Sequence, residues 1–223
     1  MNLEEVTPLI DVHPPHEPLH GWRDFFIHLT TITIGLLIAL SLEGLVEWQH
    51  HRHLVHDAEA SLHTEIKSNA DNIDGVLADL HKRQEALKHD VTVLNYIAAN
   101  GKYPEDKHMS VDFRIVTFAD VSWKTAQSTG ALAYMPYNLA QEYSGIYKDQ
   151  GLLSASEQQS ARDAVVSIGP FINEPDNGPP PSRDEAKSII QNIETLQGQL
   201  LMVDAFMQSL STDYKQFLAA HPN

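Results

Sequence analysis

Phe25–Leu42 reads FFIHLTTITIGLLIALSL, 18 residues without a formal charge, set between Trp22 and Trp48. A helix that crosses a bilayer needs about 20 mostly apolar residues, and Trp is enriched at the two membrane–water interfaces. The run therefore predicts a transmembrane helix over 22–48. Working outward, it leaves a flexible amino-terminal tail over 1–21 and an extramembrane part over 49–223. The tail, MNLEEVTPLIDVHPPHEPLHG, has prolines and histidines but no apolar periodicity. A cleaved signal peptide is the competing reading of the run. It needs a cationic leader, whereas Arg23 stands alone there beside Glu4, Glu5, Asp11, Glu17 and Asp24. The apolar pattern also continues past the run, so a retained anchor is expected.

Charge and composition narrow the function classes. The chain carries 30 Asp and Glu against 15 Lys and Arg, a formal charge of −15. Residues 1–48 hold seven of those acids and one Arg, which leaves 23 acids against 14 cations for the rest. A surface that acidic repels phosphate backbones, so nucleic acid is not an expected partner. Cysteine is absent, which removes disulfides, thiolate metal sites and cysteine nucleophiles. No G-x-S-x-G, P-loop, H-E-x-x-H or Gly-rich dinucleotide turn occurs, and neither an enzyme nor a bound cofactor is expected.

Beyond the anchor, Val55, Ala58, Leu62, Ile66, Ile73, Leu77, Leu80, Leu87, Val91 and Leu94 recur at helical steps, with polar places at Asn69 and Gln84. This is the stripe of an amphipathic helix. It predicts one helix from the anchor to about Ala99, closed by Asn100-Gly101. Val111, Phe113 and Ile115 alternate, but a single strand has no partner, so a loop or brief helix is expected there. A helix capped by Ser122 follows, then one opening at Pro136 and stopping at Gly151. Ser154 with Glu157 reads as a capping box for a further helix to about Val166. Residues 169–185 form a proline-rich connector. Last comes the most regular pattern in the chain: Ile189, Ile193, Leu196, Leu200, Val203, Met207, Leu210, Tyr214 and Phe217, a heptad-like seam. Such a seam must be buried, and the long first helix has the length to lie antiparallel to it. The fold class is all-α: an amino-terminal transmembrane helix continuous with a long amphipathic helix, packed in an extramembrane helical bundle.

The block FIHLTTITIGLLIALSLEGLVEWQHHRHLVHDAEASLHTEIKSN, with SWKTAQSTGALAYMPYNLAQEYSGIY further on, resembles a group of uncharacterised bacterial single-pass membrane proteins. Their amino-terminal anchor runs into E-x-x-x-E and a His-rich HHRH. The resemblance covers residues 22–70 and about 120–150. It implies a bacterial membrane protein and carries no catalytic residue with it.

Three constellations are candidates for function. Thr31, Gly35, Ala39, Glu43 and Glu47 fall four apart on one side of the anchor, where small residues let helix backbones approach. Glu43, near the membrane boundary, either snorkels to the headgroups, meets another subunit or joins a proton path. Past the membrane lie His50, His53, His56, Glu59 and His63. They form a polar collar, a metal site needing another chain, or a pH-sensitive band. Trp123, Tyr134, Tyr137, Tyr143 and Tyr147 either fill the bundle core or line a small-ligand cleft. The expected function is an accessory or scaffold subunit acting through protein–protein contact, as a homo-oligomer or within a larger membrane complex. The alternative is an extracytoplasmic sensor or binding module for a small ligand, metal or proton. Arg23 and Arg52 balance across the anchor, so charge leaves orientation open. The usual arrangement for a single amino-terminal anchor in the bacterial inner membrane places the domain in the periplasm.

Overall fold

The computed structural model describes residues 21–105, 109, 116–169 and 178–222. Four α-helices account for nearly all of them: α1 (Trp22–Asn100), α2 (Val121–Ser128), α3 (Tyr137–Ile168) and α4 (Arg183–Ala220), with a 3-10 turn at Ala131–Ala133. No strand occurs among the described residues. The chain falls into two compact units, Met1–His51 and Arg52–Asn223. The 1–20 tail, the alternating Val111, Phe113 and Ile115, and residues 170–177 of the connector lie outside the described residues.

In the first unit, every residue from 21 to 50 is exposed. It holds the amino-terminal part of α1, the one helix among the described residues that is long and apolar enough to cross a membrane. Three of its hydroxyls turn back on their own backbone: Thr31 Oγ1 donates to the Ile27 carbonyl at 2.9 Å, Thr33 Oγ1 to Leu29 at 2.7 Å and Ser41 Oγ to Leu37 at 2.7 Å. These polar atoms therefore need nothing from a solvent, as a helix in hydrocarbon requires. At its start Trp22, Phe25 and Phe26 form an aromatic cluster with ring centroids 5.5–6.1 Å apart.

The second unit is a three-helix bundle, with α2 held against it by the Ser122 N–H on Glu65 and by Trp123 on Tyr147. The residues of α1 from 52 onward bury Leu62, Ile66, Ile73, Leu80, Leu87 and Leu94. From Ile66 on these recur every seventh residue, which returns to the same face after two turns. Against them lies α4. Arg183 Nη2 donates to the Ala99 carbonyl, Gln84 Nε2 to Leu200, His81 Nε2 meets Asp204 Oδ1 at 2.9 Å, and Lys215 Nζ reaches Asp74 at 3.1 Å. Numbers on α1 fall as those on α4 rise, so the two are antiparallel. All nine seam residues of α4, from Ile189 to Phe217, are buried. In α3, Tyr143 packs on Phe217 at 5.0 Å and Gln150 meets Tyr214, so α3 also runs antiparallel to α4. Glu65 bonds Tyr147, and one turn further along each helix Asn69 and Gln150 both bond Ala119, so α3 runs parallel to α1.

Several local expectations are corrected. α3 is one helix that runs through Gly151, and Glu157 faces the interior rather than capping with Ser154. A lone Gly costs a helix about 1 kcal/mol, less than the packing on either side supplies. α2 begins at Val121 after Asp120, and Ser122 makes no cap: its N–H serves Glu65. Pro136 sits at the N-cap of α3, one place before the first turn. A capping box does exist, at Ser182 and Glu185, where each side chain bonds the other's backbone N–H. It sits inside the stretch read as connector. Gly101 ends α1 with φ +65°, the left-handed cap expected there, its N–H bonded to Ile97 at 2.8 Å.

Truncating the seam should separate core from surface on a single helix. Leu210→Ala, at a fully buried site, is expected to cost about 3 kcal/mol. Leu201→Ala, 64% exposed, should change stability by less than about 0.5 kcal/mol. Denaturant unfolding of both variants checks this.

Candidate functional site

Residues 116–120 form a non-helical strap between α1 and α3. Its backbone cannot satisfy itself, so side chains of the two helices do so. Asn69 on α1 makes a two-way bond with Ala119: Nδ2 donates to its carbonyl at 2.9 Å, and Oδ1 accepts its N–H at 3.0 Å. Gln150 on α3 donates Nε2 to the Phe118 and Ala119 carbonyls at 3.1 and 2.9 Å, and accepts the Tyr214 hydroxyl on Oε1 at 2.8 Å. Glu65 on α1 accepts the Ser122 N–H on Oε2 at 2.9 Å and the Tyr147 hydroxyl on Oε1 at 2.7 Å. All four side chains, Glu65, Asn69, Gln150 and Tyr214, are buried.

Two hollows flank the strap. One, of about 410 Å³, lies toward α3, with Trp123, Lys124, Tyr147, Leu153 and Glu157 among its walls. The other, about 590 Å³, lies toward α1 along Asn69, Asn72, Val76 and Lys82. Val116, Thr117 and Phe118 line both. Trp123 stacks flat on Tyr147, with centroids 5.0 Å apart and planes 7° apart. At the rim of the first hollow Lys124 Nζ pairs with Asp120 Oδ2 at 2.7 Å.

Glu157 is the unusual group. It is 8% exposed, and burial pushes its carboxyl up from 4.5 to about 7, against the Arg83 guanidinium and the Val116 N–H, which both favour its charged form. Burial also drives the Tyr147 hydroxyl well above its ordinary range, reinforced by its bond to Glu65. The Tyr214 hydroxyl is raised chiefly by burial too. Tyr143 is pushed up to about 12 by burial and by the carboxylates of Glu59 and Glu142.

The aromatic set read from the sequence is thus divided. Trp123 and Tyr147 line the hollow, Tyr143 belongs to the core, and Tyr134 and Tyr137 are exposed. The histidine set is dispersed. His50, His53 and His56 are exposed. His63 turns inward, donating Nε2–H to the His221 carbonyl at 2.9 Å, and its buried Nδ1 has no hydrogen-bond partner. Glu59 is half-buried near Tyr143. Among the described residues no three His, Asp or Glu side chains are grouped to hold a metal ion. The five helix-face residues of the anchor, Thr31, Gly35, Ala39, Glu43 and Glu47, are all exposed. Sequence reasoning missed Glu65, Gln150 and Glu157; the polar break at Asn69 in an apolar stripe was the one available signal. No protein-family model, curated protein or solved structure matches the chain.

Two substitutions test the site. Tyr147→Phe strips Glu65 Oε1 of a buried donor and is expected to destabilise the bundle by about 2 kcal/mol, with the helix content retained by circular dichroism. For Glu157 the folded-state pKa lies above the unfolded one. Its neutral form thus contributes stability that is present below about pH 4.5 and lost as pH rises through about 7. Glu157→Gln, uncharged throughout, should be more stable than the parent by about 2 kcal/mol near pH 8. The two should converge near pH 4.5, as read by denaturant midpoints.

Proposed function

We propose that this chain is a membrane-anchored accessory or scaffold subunit that works through protein–protein contact. The observation that carries the reading is the wholly uncovered apolar helix of the first unit, exposed at every residue from 21 to 50. Apolar surface on that scale is not left in water, and the Thr31, Thr33 and Ser41 hydroxyls are satisfied within the helix, so lipid is its natural surround. The bundle, by contrast, closes its core with its own side chains. What remains for function is the anchor's outer face and the bundle's acidic surface. The resemblance supports a bacterial membrane setting, and the usual arrangement of a single amino-terminal anchor would put the bundle on the periplasmic side of the inner membrane.

Apart from its chain neighbours and the surrounding turns of its own helix backbone, Gly35 has nothing within 4 Å of where a Cβ would stand. A larger side chain there meets only what lies outside. Gly35→Leu is therefore expected to leave the bundle's helicity and melting unchanged while dispersing the assembly extracted in mild detergent. Native mass spectrometry reads both: retention of the parent's assembled mass by Gly35→Leu would remove the packing face from the proposal.

A second reading, a binding module, is favoured by the hollow beside Trp123. It combines an aromatic stack, a buried carboxyl and an ion pair at its rim. A ligand there would raise the melting temperature by mass action.

A further inference from the structure

We propose that the hollow between α3 and residues 116–124 takes a small, elongated organic cation, with its ammonium at the Glu157 end and an apolar or aromatic body at the Trp123 end. The inference rests on the second reading above and names the ligand class of that hollow.

The hollow follows one face of α3. Tyr147, Gly151, Ser154 and Gln158 all line it, and this spacing returns to the same side of a helix at each turn. Tyr147 and Glu157, toward its two ends, stand about 15 Å apart along the helix at 1.5 Å per residue. The ends differ in chemistry. At one, Trp123 lies flat on Tyr147 with ring centroids 5.0 Å apart. At the other the wall carries the carboxyl of Glu157, which is 8% exposed. A space of about 410 Å³ is of the size that takes small organic ligands. A molecule that meets both ends is extended and amphiphilic.

Gly151 keeps the middle of the hollow clear. Gly is poorer than Ala in a helix interior, and no packing requires it at this place. Apart from its chain neighbours and its own helix backbone, nothing stands within 4 Å of where a Cβ would be. Because Gly151 lies at the centre of the lining face, a side chain there would enter the hollow.

The charges of the walls set the sign of the ligand. Lys124 already pairs with Asp120 at 2.7 Å. Tyr147 and Gln150 commit their polar atoms to Glu65, the strap and Tyr214. Among the described residues of the walls, Glu157 is the charge left over. Arg83 attracts it from α1, yet burial outweighs that attraction, so its charged form gains from a further cation. Beyond the anchor the chain has 23 acids against 14 Lys and Arg, a balance that draws cations to the surface and repels anions. Trp123 and Tyr147 then give an aryl body rings to pack against.

The test uses the full chain in detergent with Trp22→Phe and Trp48→Phe, which leaves Trp123, in the wall of the hollow, as the one tryptophan. Its fluorescence is titrated with 4-phenylbutylammonium, 4-phenylbutanol and 4-phenylbutyrate, which keep the body and change the charge. The expected result is a saturable change with the ammonium, the other two binding about tenfold or more weakly, the worth of a charge-assisted bond. Glu157→Gln should bring the ammonium down to the level of the alcohol. Gly151→Leu, which favours the helix while filling the hollow, should abolish binding, and it locates the site if Glu157→Gln fails to fold. Equal binding of the three probes overturns the cation but leaves a binding module standing, as does ammonium binding undiminished in Glu157→Gln. No saturable change with any probe, or changes that persist in Gly151→Leu, overturn both the proposal and the second reading of this hollow.

Discussion

Backbone that leaves a helix and crosses a packed interior must find partners for its N–H and C=O groups, because an unpaired one costs more than a bond returns. In the bundle that constraint falls on residues 116–122, and Glu65, Asn69 and Gln150 meet it. The consequences spread. Glu65 fixes the first turn of α2 and, through the Tyr147 hydroxyl, the depth at which α3 sits against α1. Gln150 ties the strap to Tyr214 and so to α4. Four elements thus share one polar centre inside an apolar bundle. The polar centre sets which residues of the helices lie level with one another, where apolar contacts alone would accept a slide of one turn.

The same centre shapes the candidate site. The strap is held at Phe118 and Ala119 by the amides of Asn69 and Gln150. The stack of Trp123 on Tyr147 lies beside it, so the aromatic wall of the hollow is positioned by the residues that satisfy the strap. Glu157 departs from this economy. It is buried with a net cost to its charge, which a purely structural position would avoid by carrying Gln.

The fold was legible in the sequence where periodicity was long. The α4 seam places every named residue from Ile189 to Phe217 on a buried face, and the α1 stripe buries Leu62, Ile66, Ile73, Leu80, Leu87 and Leu94, while Val55, Ala58, Leu77 and Val91 of the same stripe are half-buried at its edge. Breaker signals misled where packing outweighed them. Gly151 reads as a stop, yet α3 passes through it, because the helix on both sides is pinned at Tyr147, Gln150 and Leu153. Ser154 and Glu157 have capping-box spacing, but that spacing in mid-helix also places Glu157 on the inward face. The site was scarcely legible. Glu65 and Asn69 are one turn apart on α1, while their partners lie 50 to 82 residues away in the chain, and no local pattern marks such pairs.

The sequence by itself determined that the chain is helical, that one helix is apolar along a bilayer-length run, and that α1 and α4 each carry a face that must be covered. These follow from the order of apolar and polar residues, a local property read at helical spacing. Tertiary structure alone decided that α3 is a single helix, that histidines and aromatics spaced for a cluster are scattered, and that a strap between α1 and α3 is held by buried side chains. Those outcomes depend on burial and on hydrogen bonds between distant segments, which exist only once the helices have chosen their register.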